Sequence, residues 1–460
     1  MDPLAARKVI ELRQKLAGIQ AEFAGWMADA GEDKPLRKHQ SQISHITRQL
    51  GVMVDGLRAQ LDALARDDEL VLGRCREVQI RVLEVHRLWD YFRSKLSLRY
   101  VEWFRDYLAV ADELAHACYA PARDACTGGV VPRTIPLVFF SGEFSPYTHA
   151  RDTAFAVETV ENAMSSRELR EFADRLPVPV IGVPWYQVSH LPDVLMIAHE
   201  VGHGVEDDFG LGEPMEAALE PILAAYDEDA EFAWNHWRRE LFADLYGLLA
   251  VGPAYTMALA DLLATDTRSI VAETGEFARF DVHPPATLRL AAQSVAIDKL
   301  ELAVDPAESR SAWERTFAAA PGDRFHLQVK DVTETLLGVS YRVFGNRTLA
   351  SVLEKRPDPV GCRAVKQAAL AELRVNGDDV RVLMAGARMA FEENAESYVR
   401  PTVEDALGPQ DRILARAVAN IDSKTRHAGP RELSEQHDLT AGAELLRALE
   451  TRDAKEQPRE

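Results

Sequence analysis

Apolar residues recur at spacings of three and four over residues 43–64 and again over residues 78–114, and this pattern constrains the fold more strongly than any other sequence feature. Such a stripe marks one face of a helix, and because it continues over several heptads it requires partner helices. A shorter stripe over residues 12–23, which ends before the break at 29–35, can supply one partner. The first of the two longer runs consists of Ile43, Ile46, Leu50, Met53, Leu57, Leu61 and Leu64, and the second consists of Val78, Val82, Val85, Trp89, Phe92, Leu96, Tyr100, Trp103, Tyr107, Val110 and Leu114. We therefore predict a helical hairpin or a three-helix, coiled-coil-like bundle with one very long arm.

Two roles fit this helical region. It either forms a packed bundle that braces the rest of the chain, or it provides a surface for a homodimer or a regulatory partner. Aromatic side chains in the stripe, such as Trp89 and Phe92, suit a filled core and favour the bracing role.

The rest of the chain changes character twice. A chain of 460 residues is too long for one compact core. Glycine, proline and short β-branched runs follow residue 126, whereas helical spacing returns after residue 191. We predict a mainly α protein with a small β-sheet (α+β), divided into a helical bundle at 1–120, a central domain at 121–304 and a helical C-terminal region at 305–460 with a frayed, charged tail.

Charge and cysteine usage exclude several classes of partner. The formal charge of −20 disfavours nucleic acid and anionic membranes, because both would repel the chain. The longest apolar region, residues 241–264, contains two aspartates and a Gly252-Pro253 break, so it is a poor membrane span. We expect a cytoplasmic protein without signal peptide or disulfides, since its cysteines form no paired motif. They are Cys75, Cys118, Cys126 and Cys362.

Two histidines and a glutamate interrupt the apolar run at residues 195–204. Pro192 suits a helix start and two nearby glycines suit its end, which predicts a helix over 192–203. His199 and His203 then project from one face, one turn apart, so both can bind a tetrahedral ion at roughly 2.0–2.1 Å. Glu200 lies beside that ion, where a general base for metal-activated water belongs.

Two histidine nitrogens alone do not hold zinc well, so a metal site at His199 and His203 needs a third protein ligand. The helix predicted over residues 235–249 presents Glu240 and Asp244 on one face, opposite a leucine-rich face. Glu240 can complete the site, and Asp244 can accept the free ring N–H of a ligand histidine. Rival ligands remain on the same helix and on the preceding one. They are Glu216, Glu220 and His236.

A further histidine, His283, stands before two prolines. On such a stiff turn it can donate a hydrogen bond to the oxyanion of a tetrahedral intermediate, alone or with Arg289. The alternative is a simple helix-entry turn with proline in its first positions. Tyr255, which follows the Gly252-Pro253 break, is the rival donor.

The combination of H-E-x-x-H at 199–203 with E-x-x-x-D at 240–244 resembles the gluzincin zinc metallopeptidases over about residues 130–295. The resemblance implies a zincin-like catalytic domain in which His199, His203 and Glu240 bind Zn²⁺, Glu200 activates water and Asp244 supports a ligand histidine. Within that clan the pattern is closest to the family of the CAAX prenyl endoprotease and the heat-shock membrane protease, which also has a late H-P-x-x-x-x-R element. Here that element is His283, Pro284 and Arg289. The chain departs from thermolysin by a longer interval between the second histidine and the glutamate, and from the second family by lacking membrane helices.

The resemblance also suggests a role for the strand predicted just before the active-site helix. As an edge strand, Val180, Ile181, Gly182 and Val183 would pair with an extended substrate backbone. The alternative is a structural strand covered by the N-terminal bundle.

The sequence thus predicts a zinc-dependent endopeptidase that acts on a protein or peptide substrate. Two alternatives remain open. One is a non-proteolytic, metal-stabilised scaffold that recruits a partner. The other is a zinc amidase that hydrolyses a non-protein amide.

Overall fold

The computed structural model describes most of the chain. The described residues are 2–31, 34–127, 135–142, 146–148, 178–264, 283–318, 323–399, 408–423 and 438–447. The charged C-terminal tail predicted to fray lies largely outside them.

The first three helices pack against one another in pairs and form a three-helix bundle. They are α1 (Pro3–Asp29), α2 (Gln40–Leu64) and α3 (Asp68–Ser97). Asp67 caps α3, since its carboxylate accepts hydrogen bonds from the first backbone N–H groups. Of the two arrangements predicted for this region, the bundle is the one that forms.

The single long arm predicted after residue 78 is wrong. The chain passes through a 3-10 turn at Leu98–Tyr100, becomes extended at Val101 and starts a new helix, α4 (Glu102–Ala125). The apolar stripe continues across this break because α3 and α4 bury their apolar faces in two different cores. Periodicity alone does not distinguish that arrangement from one long helix.

A three-stranded sheet lies between those cores. Its strands are β1 (Leu137–Ser141), β2 (Tyr147–Thr148) and β3 (Val180–Pro184). The order is β1-β3-β2, with β1 parallel and β2 antiparallel to β3. Side chains on one face, such as Val180, pack in the bundle core, and those on the other, such as Ile181, pack in the main core.

The prediction that residues 180–183 form an edge strand is therefore wrong. β3 is the central strand, and Ile181 and Gly182 are paired on both sides, with β1 and with β2. The run is apolar at successive positions because both of its faces are buried. The alternative of a structural strand covered by the bundle describes it correctly.

After a 3-10 segment at Leu191–Met196, the described residues of the central region form five α-helices. They are α5 (Ile197–Phe209), α6 (Gly212–Leu223), α7 (Glu228–Val251), α8 (Ala254–Leu263) and α9 (Ala286–Lys299). The boundaries predicted for the histidine-bearing helix are wrong at both ends. Pro192 starts the 3-10 segment, and α5 runs on to Gly210, whose φ of 63° ends it in the left-handed conformation.

The described part of the C-terminal region is mainly helical and packs on the main core. Its elements are α10 (Ala307–Thr316), α11 (Arg324–Gly338), β4 (Ser340–Tyr341), β5 (Arg347–Thr348), α12 (Leu349–Val352), α13 (Pro359–Leu370), α14 (Val380–Glu393), α15 (Ala395–Val399) and α16 (Pro409–Ser423). A last helical segment, 438–447, returns to the bundle, where the buried Asp438 carboxylate contacts His45 and Arg48.

The fold is mainly α with a small β-sheet, as predicted. Within the described residues, no helix is both long and apolar enough to cross a membrane.

Candidate metal centre

Helices α5 and α7 cross at very short range, and a glycine makes the crossing possible. A Cβ atom placed on Gly202 would lie 3.0 Å from Ala243 Cα and 3.0 Å from Tyr246 Cβ. Such contacts are tighter than nearly all real Cβ contacts, so a larger side chain at residue 202 would require the two helices to shift apart by a few tenths of an ångström. The crossing places the His199 and His203 side chains opposite those of Glu240 and Asp244.

Three ligand atoms converge at the crossing. The two histidine Nε2 atoms are 3.1 Å apart; His199 Nε2 lies 3.3 Å from Glu240 Oε2, and His203 Nε2 lies 3.3 Å from Glu240 Oε1. One ligand atom from each of the three side chains lies within 4.8 Å of the other two, so the group can hold one ion. In the described part of the chain, this is the single group of three or more histidine, cysteine or carboxylate side chains with such a geometry.

The Glu240 carboxylate fits a cation. It is buried, and its Oε2 atom accepts no hydrogen bond of acceptable geometry within the described residues. Burial alone would raise the pKa of Glu240, but the contacts with His199 and His203 outweigh it and hold that pKa far below its usual range. A buried carboxylate kept ionised in this way requires a compensating positive charge, which a metal ion can provide.

His199 is oriented by Asp244. Its Nδ1 atom lies 2.9 Å from Asp244 Oδ1. Because a carboxylate only accepts hydrogen bonds, Nδ1 carries the hydrogen and Nε2 faces the candidate metal position. Burial alone would lower the pKa of His199, but Asp244 and Glu240 together raise it to about 10. The protonated His199 ring therefore supplies part of the positive charge that a metal ion would supply.

Asp244 has two further partners from separate helices. The Tyr255 hydroxyl donates to Oδ1 at 2.6 Å, and Arg289 donates to both carboxylate oxygens at 2.7 Å through Nε and Nη2. Burial would raise the pKa of Asp244, but the charge of Arg289 and the hydrogen bonds outweigh it and lower that pKa strongly. Asp244, Tyr255 and Arg289 are all buried.

A second glycine makes the Tyr255 contact possible. A Cβ atom on Gly247 would lie 2.6 to 2.8 Å from the Tyr255 ring. Tyr255 therefore packs on the backbone of α7, and its hydroxyl lies on the Nδ1 side of His199, at 3.2 Å, rather than among the Nε2 atoms. This geometry does not support the predicted role of Tyr255 as an oxyanion donor.

His283 lies at the rim of the centre. Its Nε2 atom is 3.6 Å from Glu240 Oε2, and its side chain is 60% exposed. The two prolines after it lead directly into α9, so the segment is a helix-entry turn that also brings the histidine to the metal centre.

Glu200 is buried on α5 between the two histidines. Its negative charge is near enough to the phenol of Tyr255 to contribute to the raised pKa of that group, although burial and Asp244 contribute more. Glu200 is therefore a buried carboxylate near Tyr255, on the helix that carries both candidate ligand histidines.

The rival ligands lie elsewhere. Glu216 is exposed and contacts Arg238, while His236 stacks on Phe232 with 5.9 Å between ring centroids. Glu220 is exposed on α6 and belongs to no candidate metal group.

Sequence reasoning did not find the ion pairs by which three arginines join these helices. Arg289 was expected at an oxyanion, and its side chain is instead committed to Asp244. Arg238 and Arg239 bind Glu206 and Asp207, respectively, and so connect α7 to α5 beyond the histidines. The signal for Arg238 and Arg239 was two consecutive acids on α5 and two consecutive arginines on α7. It became informative only once these two helices were known to cross.

Comparison with protein-family models, with curated proteins and with solved structures finds no match to this chain. The structural finding at this site is a buried His199, His203 and Glu240 group able to hold a metal ion.

Proposed function

We propose that the protein is a zinc-dependent endopeptidase of the gluzincin type. The observation that carries the proposal is the convergence of His199, His203 and Glu240: the two histidine Nε2 atoms are 3.1 Å apart, and each lies 3.3 Å from a different oxygen of the Glu240 carboxylate. Three protein ligands are typical of catalytic zinc, whereas structural zinc usually has four. A second carboxylate, Glu200, is buried on the helix that carries both histidines.

The triad would hold the ion, and Asp244 would keep the His199 ring in the tautomer that binds metal. When bound, zinc supplies Lewis acidity, which lowers the pKa of water toward about 7 and polarises the carbonyl of the scissile bond. His199, His203 and Glu240 are all buried, so the chain restricts access of bulk water to the ion.

Glu200 is the general base in this proposal. A carboxylate adjacent to the first ligand histidine can take a proton from the attacking water and deliver it to the leaving amine. His283 is the candidate oxyanion donor, because its exposed ring reaches the edge of the site from the side open to solvent. Tyr255 acts behind the ligands, on Asp244.

The two alternatives make different demands on the site. A metal-stabilised scaffold has no use for a buried base beside a three-ligand site, so the position of Glu200 disfavours it. An amidase that acts on a non-protein amide would use the same residues, and it differs only in the substrate that is hydrolysed.

The test compares the wild type with Glu200→Gln. Zinc content is measured by elemental analysis, and hydrolysis is followed on a library of generic peptides. We expect equal zinc in both proteins and cleavage only by the wild type. Undiminished turnover by a zinc-loaded Glu200→Gln protein would refute the assignment of the base. Zinc binding without peptide cleavage by the wild type would favour one of the alternatives.

A further inference from the structure

Asp244 is surrounded by donors from three different helices. The backbone of α7 carries the aspartate, α5 provides His199, α8 provides Tyr255 and α9 provides Arg289. Asp244 Oδ1 has three of these groups within 2.9 Å, whereas Oδ2 has only Arg289 Nε, at 2.7 Å. The carboxylate is fully buried, so no water competes for it.

Arg289 differs from the other two donors in geometry and in charge. Its Nε and Nη2 atoms bind one carboxylate oxygen each, which fixes the plane of the carboxylate as a single bond cannot. Its positive charge also offsets the charge of Asp244, which would be very costly to bury alone. Arg289 does not contact a triad ligand through any hydrogen bond or ion pair that the structure shows.

We propose that Arg289 is a positioning residue of the metal centre. It holds the Asp244 carboxylate in the orientation in which Oδ1 faces His199 Nδ1. It also balances the negative charge of Asp244, so the aspartate can orient His199 without adding net negative charge near the metal position. This inference rests on the proposed metal site, and it predicts that α9, which contributes no ligand, controls metal affinity.

Partners that orient ligand histidines typically contribute 10- to 100-fold to metal affinity. We expect Arg289→Met to weaken zinc binding by about this factor. Arg289→Lys keeps the positive charge, so we expect this variant to fold. It loses the two-point contact with the Asp244 carboxylate, so we expect it to bind zinc about tenfold more weakly than the wild type.

The experiment measures zinc affinity by competition with a chelator, together with the visible absorption spectrum of the Co²⁺-loaded protein. The spectrum reports ligand geometry, so a change in His199 orientation alters it, whereas a general loss of stability does not. Arg238→Met is the matched control. Like Arg289, Arg238 is a buried arginine that binds a carboxylate of another helix. Its partners are Glu206 and Glu216, which are not among the candidate metal ligands. We expect that variant to be less stable and to bind both metals normally.

The possible results separate this inference from the proposed function. If the wild type binds neither zinc nor cobalt, the metal site itself is refuted. If the wild type binds metal and Arg289→Lys binds it equally well with an unchanged cobalt spectrum, the positioning role is refuted and the metal site stands. If Arg289→Met does not fold, the lysine variant decides.

Discussion

Gly202 of α5 lies against Ala243 of α7, since a Cβ atom on Gly202 would be 3.0 Å from Ala243 Cα, and these two helices carry the candidate metal centre. In sequence, Gly202 directly precedes the candidate ligand His203, and Ala243 directly precedes Asp244, which contacts the other candidate ligand histidine. Packing at this point therefore sets the distance between the histidine pair and the acidic pair.

We predict that Gly202→Ala separates the helices and weakens zinc binding. Its Cβ would meet Ala243 Cα at 3.0 Å, which is backbone and cannot move aside. Overpacking of this kind costs about 1–3 kcal/mol of folding stability. Thermal unfolding and zinc affinity measure the two effects.

Gly204→Ala is the matched control. It lies two residues further on the same helix, and its Cβ would have no neighbour within 4 Å. Alanine is the better helix former by about 0.8–1.0 kcal/mol, so we expect this variant to be as stable as the wild type or more stable, with unchanged zinc affinity. Equal effects of the two substitutions would contradict the role of the crossing.

The pH dependence of stability should change when metal binds. In the metal-free protein the folded-state pKa of His199 is raised from 6.5 to about 10. A raised folded pKa gives stability that is complete below the unfolded value and is lost as the pH rises through the folded value. We therefore predict that the stabilising contribution of His199 to the metal-free protein declines as the pH rises from about 6.5 to 10, and that zinc removes this decline because it takes the place of the proton.

Lys95 acts in the opposite direction over part of the same range. Burial lowers its pKa to about 7, so its contribution to stability increases as the pH rises toward 10.5. Lys95 lies in the bundle and is the same in both forms, so the difference between metal-free and zinc-loaded protein isolates the His199 effect. Parallel curves of melting temperature against pH for the two forms would contradict the prediction.

The sequence revealed the candidate metal ligands because two histidines of one helix can bind the same ion only at a fixed spacing. Histidines four residues apart must share a helix face, and an acid one turn before an aspartate fits the facing helix. The geometry of His199, His203 and Glu240 agrees with that reasoning. Rival acids such as Glu216 could be set aside only once the position of α6 was known.

The remaining features depend on contacts between distant segments, which spacing does not report. The two faces of β3 are buried by different cores, so its apolar sequence could not show whether it was central or at an edge. Arg289 binds Asp244 across 45 residues of sequence, and the tertiary fold alone brings them together. In the sequence Gly202 suited a helix end, whereas in the structure it lies inside α5 and allows close packing on α7, as Gly247 allows close packing of Tyr255.

His283 should affect catalysis without affecting metal binding. Its exposed ring lies 3.6 Å from Glu240, at the edge of the centre. If it stabilises an oxyanion, His283→Ala should lower kcat by about 10²–10³, as the loss of one such donor does. Zinc content should remain unchanged. His236→Ala is the control, because His236 is an exposed histidine that stacks on Phe232. A normal kcat for His283→Ala would exclude the role.

Removal of Glu240 should abolish the coupling between zinc and stability. A ligand that binds only the folded state stabilises it by about 2.7 kcal/mol at a concentration of 100 times Kd. We expect zinc to raise the melting temperature of the wild type and a chelator to reverse the increase. Glu240→Ala should show no zinc-dependent shift, because only two ligands remain.

Glu216→Ala should respond like the wild type, since Glu216 is exposed and contacts Arg238 rather than the triad. A zinc-dependent shift that survives in Glu240→Ala and disappears in Glu216→Ala would move the third ligand to α6 and overturn the metal centre described here.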